Sequence, residues 1–176
     1  RIRYLNADLT KHLKIRKGEF EVILANMVLM DLPRIDIALS EFARILVPDG
    51  LLVVSIVHPS FFWYDWVTDE NNNKLYKPIS DYLHEKVEEL KFWGKTLHYH
   101  RPLSYYFNHL EATGFFIESL REPSPTKQML EKWPEWEFHT RIPSFMVIRA
   151  IVKRGGQRRH CATEERGLRR ASKQDV

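Results

Sequence analysis

Cysteine is almost absent from these 176 residues: Cys161 stands alone near the C-terminus, so no internal disulfide can form. That usage fits a reducing compartment. Long hydrophobic runs are missing too. The longest apolar stretch, Leu51–Val57, falls far short of the roughly twenty residues a membrane helix needs. No basic, then apolar, then small-residue pattern marks a signal peptide. A soluble, cytoplasmic protein without a membrane partner is therefore expected. Internal repeats are absent. Excess charge of one sign is missing from the body of the chain. The formal net charge is +4, but beyond Lys153 stand seven basic and three acidic residues, which leaves 20 of each in residues 1–153. A phosphate-binding face is weakly supported, and nucleic acid is not expected as a partner.

What is present is ample apolar material, 44% of residues, with 12% aromatic. Length and composition predict one domain over residues 1–153, followed by a basic tail over 154–176 that is too poor in bulky apolar residues to fold. The most informative stretch runs from Phe20 to Val57. Phe20–Ala25 reads as a buried strand, and Arg34–Val47 carries Ile35, Ala38, Leu39, Phe42, Ile45 and Leu46 at helical spacing. Pro48-Asp49-Gly50 stops that helix, and Leu51–Val57 is a second buried run. Strand, helix and strand make a right-handed βαβ unit, the building block of a parallel sheet covered on both faces.

Around that unit, Arg1–Ala7 reads as a strand with Ile2 and Tyr4 inward, and Leu9–Lys17 as a connector. Residues 60–101 form an aromatic-rich insert of the kind that serves as a lid or binding element. Within it Asp69–Lys74 is a polar turn, Ile79–Leu90 a short helix, and Glu88–His100 a hairpin turning at Gly94. Regular structure resumes with a helix over Leu103–Thr113 closed by Gly114, then a strand over Phe115–Leu120. A short helix capped by Thr126 and a final strand over Ser144–Val152 complete the body.

Ligands of open α/β sheets bind outside the carboxyl ends of parallel strands. Asp8, Asn26 and His58 stand at three such ends. Asp8 is read either as an acceptor for a ligand amine or hydroxyl, or as a local cap. Asn26 is read as a ligand contact or an ordinary turn residue. His58, beside the aromatic insert, is a candidate base or substrate grip, with a strand-end cap as the alternative. His98 and His100 share one face of an extended segment, but no carboxylate or cysteine nearby in the sequence completes a metal set, so no metal is expected. Arg101 could bind an acidic group, and Tyr105 with Phe61–Trp66 could wall an apolar pocket.

Several of these segments together resemble one known family. Asn6-Ala7-Asp8-Leu9, the run Phe20–Asp31, and Glu41–Gly50 (acid, arginine, leucine, proline and glycine in order) resemble the middle of a class I S-adenosylmethionine-dependent methyltransferase. Gly114-Phe115 and the late Phe145–Val152 strand resemble that family's antiparallel sixth and seventh strands. Ser55–Pro59, the aromatic insert and His100-Arg101-Pro102-Leu103 resemble a bacterial-type small-molecule subgroup. Glu21 and Asp49 depart mildly from the family pattern, which favours Asp and Gly there. The resemblance implies a Rossmann-like α/β fold with a mostly parallel sheet, helices on both faces and an antiparallel C-terminal strand pair. It lacks the first βα units and their glycine-rich cofactor loop.

The implied activity of the full-length form is methyl transfer from S-adenosylmethionine to a small-molecule acceptor. Asp8, Leu9, Asn26 and Met27 would contact the cofactor. His58 would be catalytic, and Phe61, Trp63, His100, Arg101 and Tyr105 would meet the acceptor. A binding module without catalysis and an RNA methyltransferase using the tail are the alternatives. Oligomeric state is left open.

Overall fold

The computed structural model describes residues 2–91 and 94–153. The basic tail, with Cys161, and Phe92-Trp93 at the tip of the expected hairpin lie outside the described residues. The βαβ unit forms from the elements expected. Strand β1 (Phe20–Asn26) leads through a 3-10 turn (Leu29–Asp31) to helix α1 (Ile35–Ile45), which returns into β2 (Leu46–Val57). Helix α1 ends two residues earlier than the apolar spacing predicts, because Leu46 already takes extended backbone. Asp49 sits at φ 63, a left-handed conformation that suits the glycine it replaces. Gly50 beside it admits no side chain, since a Cβ there would meet the Val47 carbonyl at 2.7 Å.

After β2, the chain makes two hairpins, β3 (Val67–Thr68) with β4 (Lys74–Tyr76) and β5 (Lys86–Leu90) with β6 (Thr96–His100). Helix α2 (Leu103–Ala112), strand β7 (Phe115–Arg121), helix α3 (Lys127–Lys132), a 3-10 turn over Pro134–Thr140 and strand β8 (Phe145–Val152) follow. Gly114 at φ 89 ends α2, and the Thr126 hydroxyl accepts from the Met129 N–H at 3.3 Å as the cap of α3.

The main sheet has the order β1-β2-β8-β7. It is Rossmann-like in its parallel β1–β2 pair and in the antiparallel C-terminal pair β8–β7. Because β8 inserts between β2 and β7, antiparallel pairings outnumber the parallel one among the described residues, rather than the mostly parallel balance expected. One face is a continuous core: Leu52, Val54 and Ile56 of β2 and Met146, Ile148 and Ala150 of β8 meet the buried stripes of α1 and α2. At about 25 cal/mol per Å² of apolar surface removed from water, this layer is the main source of stability.

Several expectations fail for one physical reason, the need of every strand for a neighbour and of every face for a cover. Residues 2–7 form no strand, and Ile2 and Tyr4 are 78% and 88% exposed, because no strand lies alongside to satisfy their backbone. β1 is an edge strand rather than a buried one, with Leu24 67% exposed. Helices α1 and α2 pack against each other over the core face of the sheet. The Ile79–Leu90 helix is replaced by an irregular run and β5, whose Lys86–Leu90 register with β6 outweighs helical spacing.

The connector before β1 is held by α1. The Leu13 N–H donates to Glu41 Oε2 at 2.7 Å, and Arg44 donates to the Leu13 and Ile15 carbonyls at 3.0 and 2.8 Å. Arg44 also donates to Glu41 at 2.7 Å, and with the Leu13 and His12 contacts this holds the Glu41 carboxyl down to about 2.

Candidate functional site

The carboxyl ends of β1 and β2 lie side by side, in register at Asn26 and Ser55. The Ser55 hydroxyl donates to Asn26 Oδ1 at 2.5 Å, and the Met27 N–H donates to the Ser55 carbonyl at 2.9 Å. Met27 takes φ 54, which turns the chain out of the sheet and into the Leu29–Asp31 turn. That turn is fixed from the insert. Arg101, 2% exposed, donates to the carbonyls of Leu29, Leu32 and Pro33 at 3.3, 2.7 and 2.9 Å. Its guanidinium also lies 4.8 and 4.9 Å from the Tyr99 and Tyr105 rings.

Between the turn, the strand ends and the second hairpin is a cavity of about 360 Å³, within the usual range for small-molecule sites. Met27, Met30 and Asp31 line it from the β1 side, Val57 and Phe62 from the end of β2, Leu90, Thr96 and His98 from the hairpin, and Phe145 from β8. Its polar focus is the pair Asp31 and His98. His98 is 4% exposed, and its Nδ1 lies 3.1 Å from Asp31 Oδ1. Neither that oxygen nor His98 Nε2 has a well-aligned hydrogen bond among the described residues. Burial pushes the Asp31 carboxyl up and the His98 imidazole down. Phe62 stacks on the His98 ring at 5.3 Å, and Trp63 meets it edge-on at 5.0 Å.

The expected site residues fall into three groups. Met27 lines the cavity; Asn26 adjoins it in sequence, and Leu9 packs against the core. Asp8 takes its capping alternative: it accepts from the Thr10 N–H at 2.9 Å and hydroxyl at 2.7 Å and pairs with Lys11 at 3.0 Å. The Thr10 hydroxyl, Lys11 and the Thr10 N–H hold its carboxyl down to about 2. His58 also takes its capping alternative. The Ser60 N–H donates to its Nδ1 at 3.2 Å, which makes Nε2 the protonated nitrogen, donating to Glu122 at 2.7 Å. With both nitrogens used and Phe61 stacked on the ring at 4.5 Å, His58 has no basic nitrogen to offer, so the catalytic expectation gives way to a cap.

Arg101 gives its two terminal nitrogens to the turn carbonyls, while its buried Nε has no hydrogen bond among the described residues and lies 4.0 Å from Glu85. His100 donates from Nε2 to the Tyr82 carbonyl at 2.9 Å, leaving a buried Nδ1 with no partner. Trp63 packs edge-on against His98 and His100, and Tyr105 stacks on His109 at 4.0 Å. Phe61, Trp63, His100, Arg101 and Tyr105 thus support the cavity wall and none lines the cavity itself. Among the described residues no three His, Cys, Asp or Glu side chains are placed to share a metal.

Asp31, Met30, Leu90, Thr96 and Phe145 were not singled out by sequence, since they come from four separate segments, whereas Phe62 belongs to the Phe61–Trp66 cluster expected to wall a pocket. One signal was available: two histidines at i and i+2 on the buried face of an amphipathic strand are costly unless something engages them.

A sheet with a parallel pair continued by an antiparallel one, and a cavity beyond the parallel strand ends, defines a Rossmann-like α/β domain. The methyltransferase domain family matches residues 1–54. A candidate S-adenosylmethionine dependent methyltransferase from Listeria monocytogenes is similar in structure, with a TM-score of 0.75 and 27% identity over 86% of this chain and 69% of that one. An S-adenosylmethionine dependent methyltransferase from Mesorhizobium loti gives a TM-score of 0.73 and 26% identity over 82% of this chain and 67% of that one. A 1,6-didemethyltoxoflavin-N1-methyltransferase from Burkholderia thailandensis shares the fold alone, with a TM-score of 0.51 and 13% identity over 86% of this chain and 51% of that one. No curated protein matches the chain. In its first 54 residues and in its fold the chain is similar to the S-adenosylmethionine-dependent methyltransferases. Among the described residues no helix is long and apolar enough to cross a membrane.

Proposed function

We propose that this chain forms the acceptor side, and the methyl-bearing part of the donor side, of a methyltransferase acting on a small molecule. The observation that carries the reading is the cavity of about 360 Å³ beyond the ends of β1 and β2, walled on the far side by the insert. Its volume suits a small acceptor rather than a folded macromolecule.

The residues present fit the sulfonium end of S-adenosylmethionine. Met27, Met30 and Phe62 are soft or aromatic groups that suit a compact cation. They do not fit the carboxylate end, because Arg101, the buried cation nearby, is spent on three backbone carbonyls. Asn26 and Met27 would therefore hold the methyl-bearing side, and Asp8 would contact a ligand only by giving up its Thr10 and Lys11 partners. The donor, when bound, supplies a methyl group on positively charged sulfur.

The chain's part is orientation. Alignment of acceptor and methyl along one line can supply roughly 7–11 kcal/mol of the barrier in well-aligned systems. The Arg101-clamped turn and the β1–β2 strand ends hold the cavity wall rigid for that purpose. Calorimetric titration of the 176-residue chain with S-adenosylhomocysteine tests the reading. Saturable micromolar binding, weakened by Met27→Glu, is expected. No saturable heat would overturn it.

A further inference from the structure

Resting on the reading of the cavity as an acceptor site, we propose that His98, backed by Asp31, takes the proton from the methyl acceptor. The acceptor is then a neutral, largely apolar molecule whose reacting atom is a weakly acidic O–H or N–H, a phenol being the simplest case.

The first argument is unspent hydrogen-bonding capacity. A buried polar atom without a partner is destabilising, and among the described residues His98 Nε2 and Asp31 Oδ1 are two such atoms in one pair. A leucine in place of His98 would fill the same wall without that cost. The neighbouring His58 shows how this chain satisfies a buried histidine that only builds structure: both of its nitrogens are engaged. His98 lines the cavity, and its Nδ1 side is already turned to Asp31, so Nε2 is the atom left for a ligand.

The second argument is charge. Burial favours the neutral imidazole of His98, the form able to accept a proton. The groups facing it are Asp31 from the 3-10 turn, Glu88 from β5, His100 from β6 and Arg101 just after it, with the uncharged Phe62 ring stacked on it and Trp63 edge-on. An imidazolium formed during reaction is paired at once with the Asp31 carboxylate, 3.1 Å away. An anionic acceptor finds Asp31 repelling it and Arg101 occupied. A neutral one finds Met27, Met30, Val57, Phe62 and Phe145 to pack against.

The step balances. The acceptor heteroatom forms its bond to the methyl carbon as the carbon–sulfur bond of the donor breaks, the electron pair staying on sulfur. The proton on the heteroatom passes to His98 Nε2, so the positive charge that leaves sulfur reappears on the imidazolium beside Asp31. Water removes that proton after product release.

The test is nitrogen-detected NMR of the full chain labelled at histidine, titrated with 4-methylphenol and, in parallel, with 4-methylbenzoate. Free His98 is expected with its proton on Nδ1 and a titration midpoint below 6.5, the ordinary histidine value. In the Asp31→Asn variant, which removes the carboxylate without changing shape, the midpoint should fall further, because the imidazolium loses its partner 3.1 Å away. 4-Methylphenol should shift the His98 Nε2 resonance saturably, and 4-methylbenzoate should bind at least tenfold more weakly. Equal effects of the two probes, no saturable shift in the wild type, or a shift confined to His58 would each overturn the proposal, whether or not the variants fold. S-adenosylhomocysteine titration of the wild-type chain, run beside the phenol titration, separates this inference from the reading beneath it. Retained binding with no phenol response sinks the inference alone. A phenol response without S-adenosylhomocysteine binding sinks the methyl-donor reading and leaves the His98 site.

Discussion

Two buried histidines, His58 just after β2 and His98 in the middle of β6, are both 4% exposed. At the end of β2 the backbone does the work. The chain turns back on itself so that the Ser60 N–H reaches His58 Nδ1, and Glu122, arriving after β7, closes on Nε2. In the middle of β6 the histidine is held by rings and by one off-line carboxylate, and it faces a cavity. The difference teaches that burial of a histidine says little about its role. The count of its satisfied nitrogens says more, because buried polar atoms are rarely left without a partner, although His100, a wall residue, also leaves its Nδ1 unpartnered among the described residues.

That contrast can be broken or sharpened by measurement. Arg101→Ala should have the largest effect, because three carbonyls of the turn that carries Asp31 lose a buried charged donor. Thermal or urea unfolding should record a loss of about 3–5 kcal/mol. A loss below 1 kcal/mol would mean the turn is held by other contacts and that Asp31 is not fixed by Arg101. His58→Leu should cost roughly 1–2 kcal/mol, since the Ser60 N–H and Glu122 are left behind. His98→Leu should lie within about 1 kcal/mol of wild type or be more stable, because the substitution removes an unpaired atom from an apolar wall. If the two leucine variants destabilise equally, the distinction between the histidines fails.

The pH dependence is a finer test. His98 is held below its ordinary value in the folded chain, so its contribution to stability is present above 6.5 and is lost as pH falls through its folded value. The stability of His98→Leu relative to wild type should therefore rise between pH 7 and pH 5, as followed by urea unfolding at each pH. Asp31 has the opposite sign, since a carboxyl raised by burial favours the fold below 3.8 and loses that contribution as pH rises through its folded value. In Asp31→Asn the stability lost by wild type on that rise should be absent. Thr126→Ala, remote in the fold from both histidines, should cost only about 0.5–1 kcal/mol and leave the His98 titration unmoved.

The likeness to the methyltransferase fold was legible in the sequence because its signals are local. The helical stripe Ile35 to Ile45, the Pro48-Asp49-Gly50 break and the Gly114 stop each follow from spacing or backbone preference within a few residues. The same locality explains the errors. Phe20–Ala25 has the composition of a buried strand, and nothing in six residues reveals that it will stand at a sheet edge. Lys86–Leu90 has spacing compatible with a helix, and only its register with Thr96–His100 makes it a strand. Arg101 was sensibly read as an anion site, since a surface arginine and a clamp on three carbonyls 68–72 residues away look identical in sequence.

By itself, then, the sequence determined the βαβ unit, the antiparallel closing strands, the aromatic character of the insert and the candidate ends where ligands gather. Periodicity, turn chemistry and capping act over distances of one to seven residues, and they are written in order along the chain. The tertiary structure decided which polar groups at those ends remain unspent. Glu122 lies 64 residues from His58 and cancels it, while Asp31 comes from another segment to meet His98 without satisfying it. Hydrogen-bond satisfaction is a property of three-dimensional neighbours, and no local pattern encodes it.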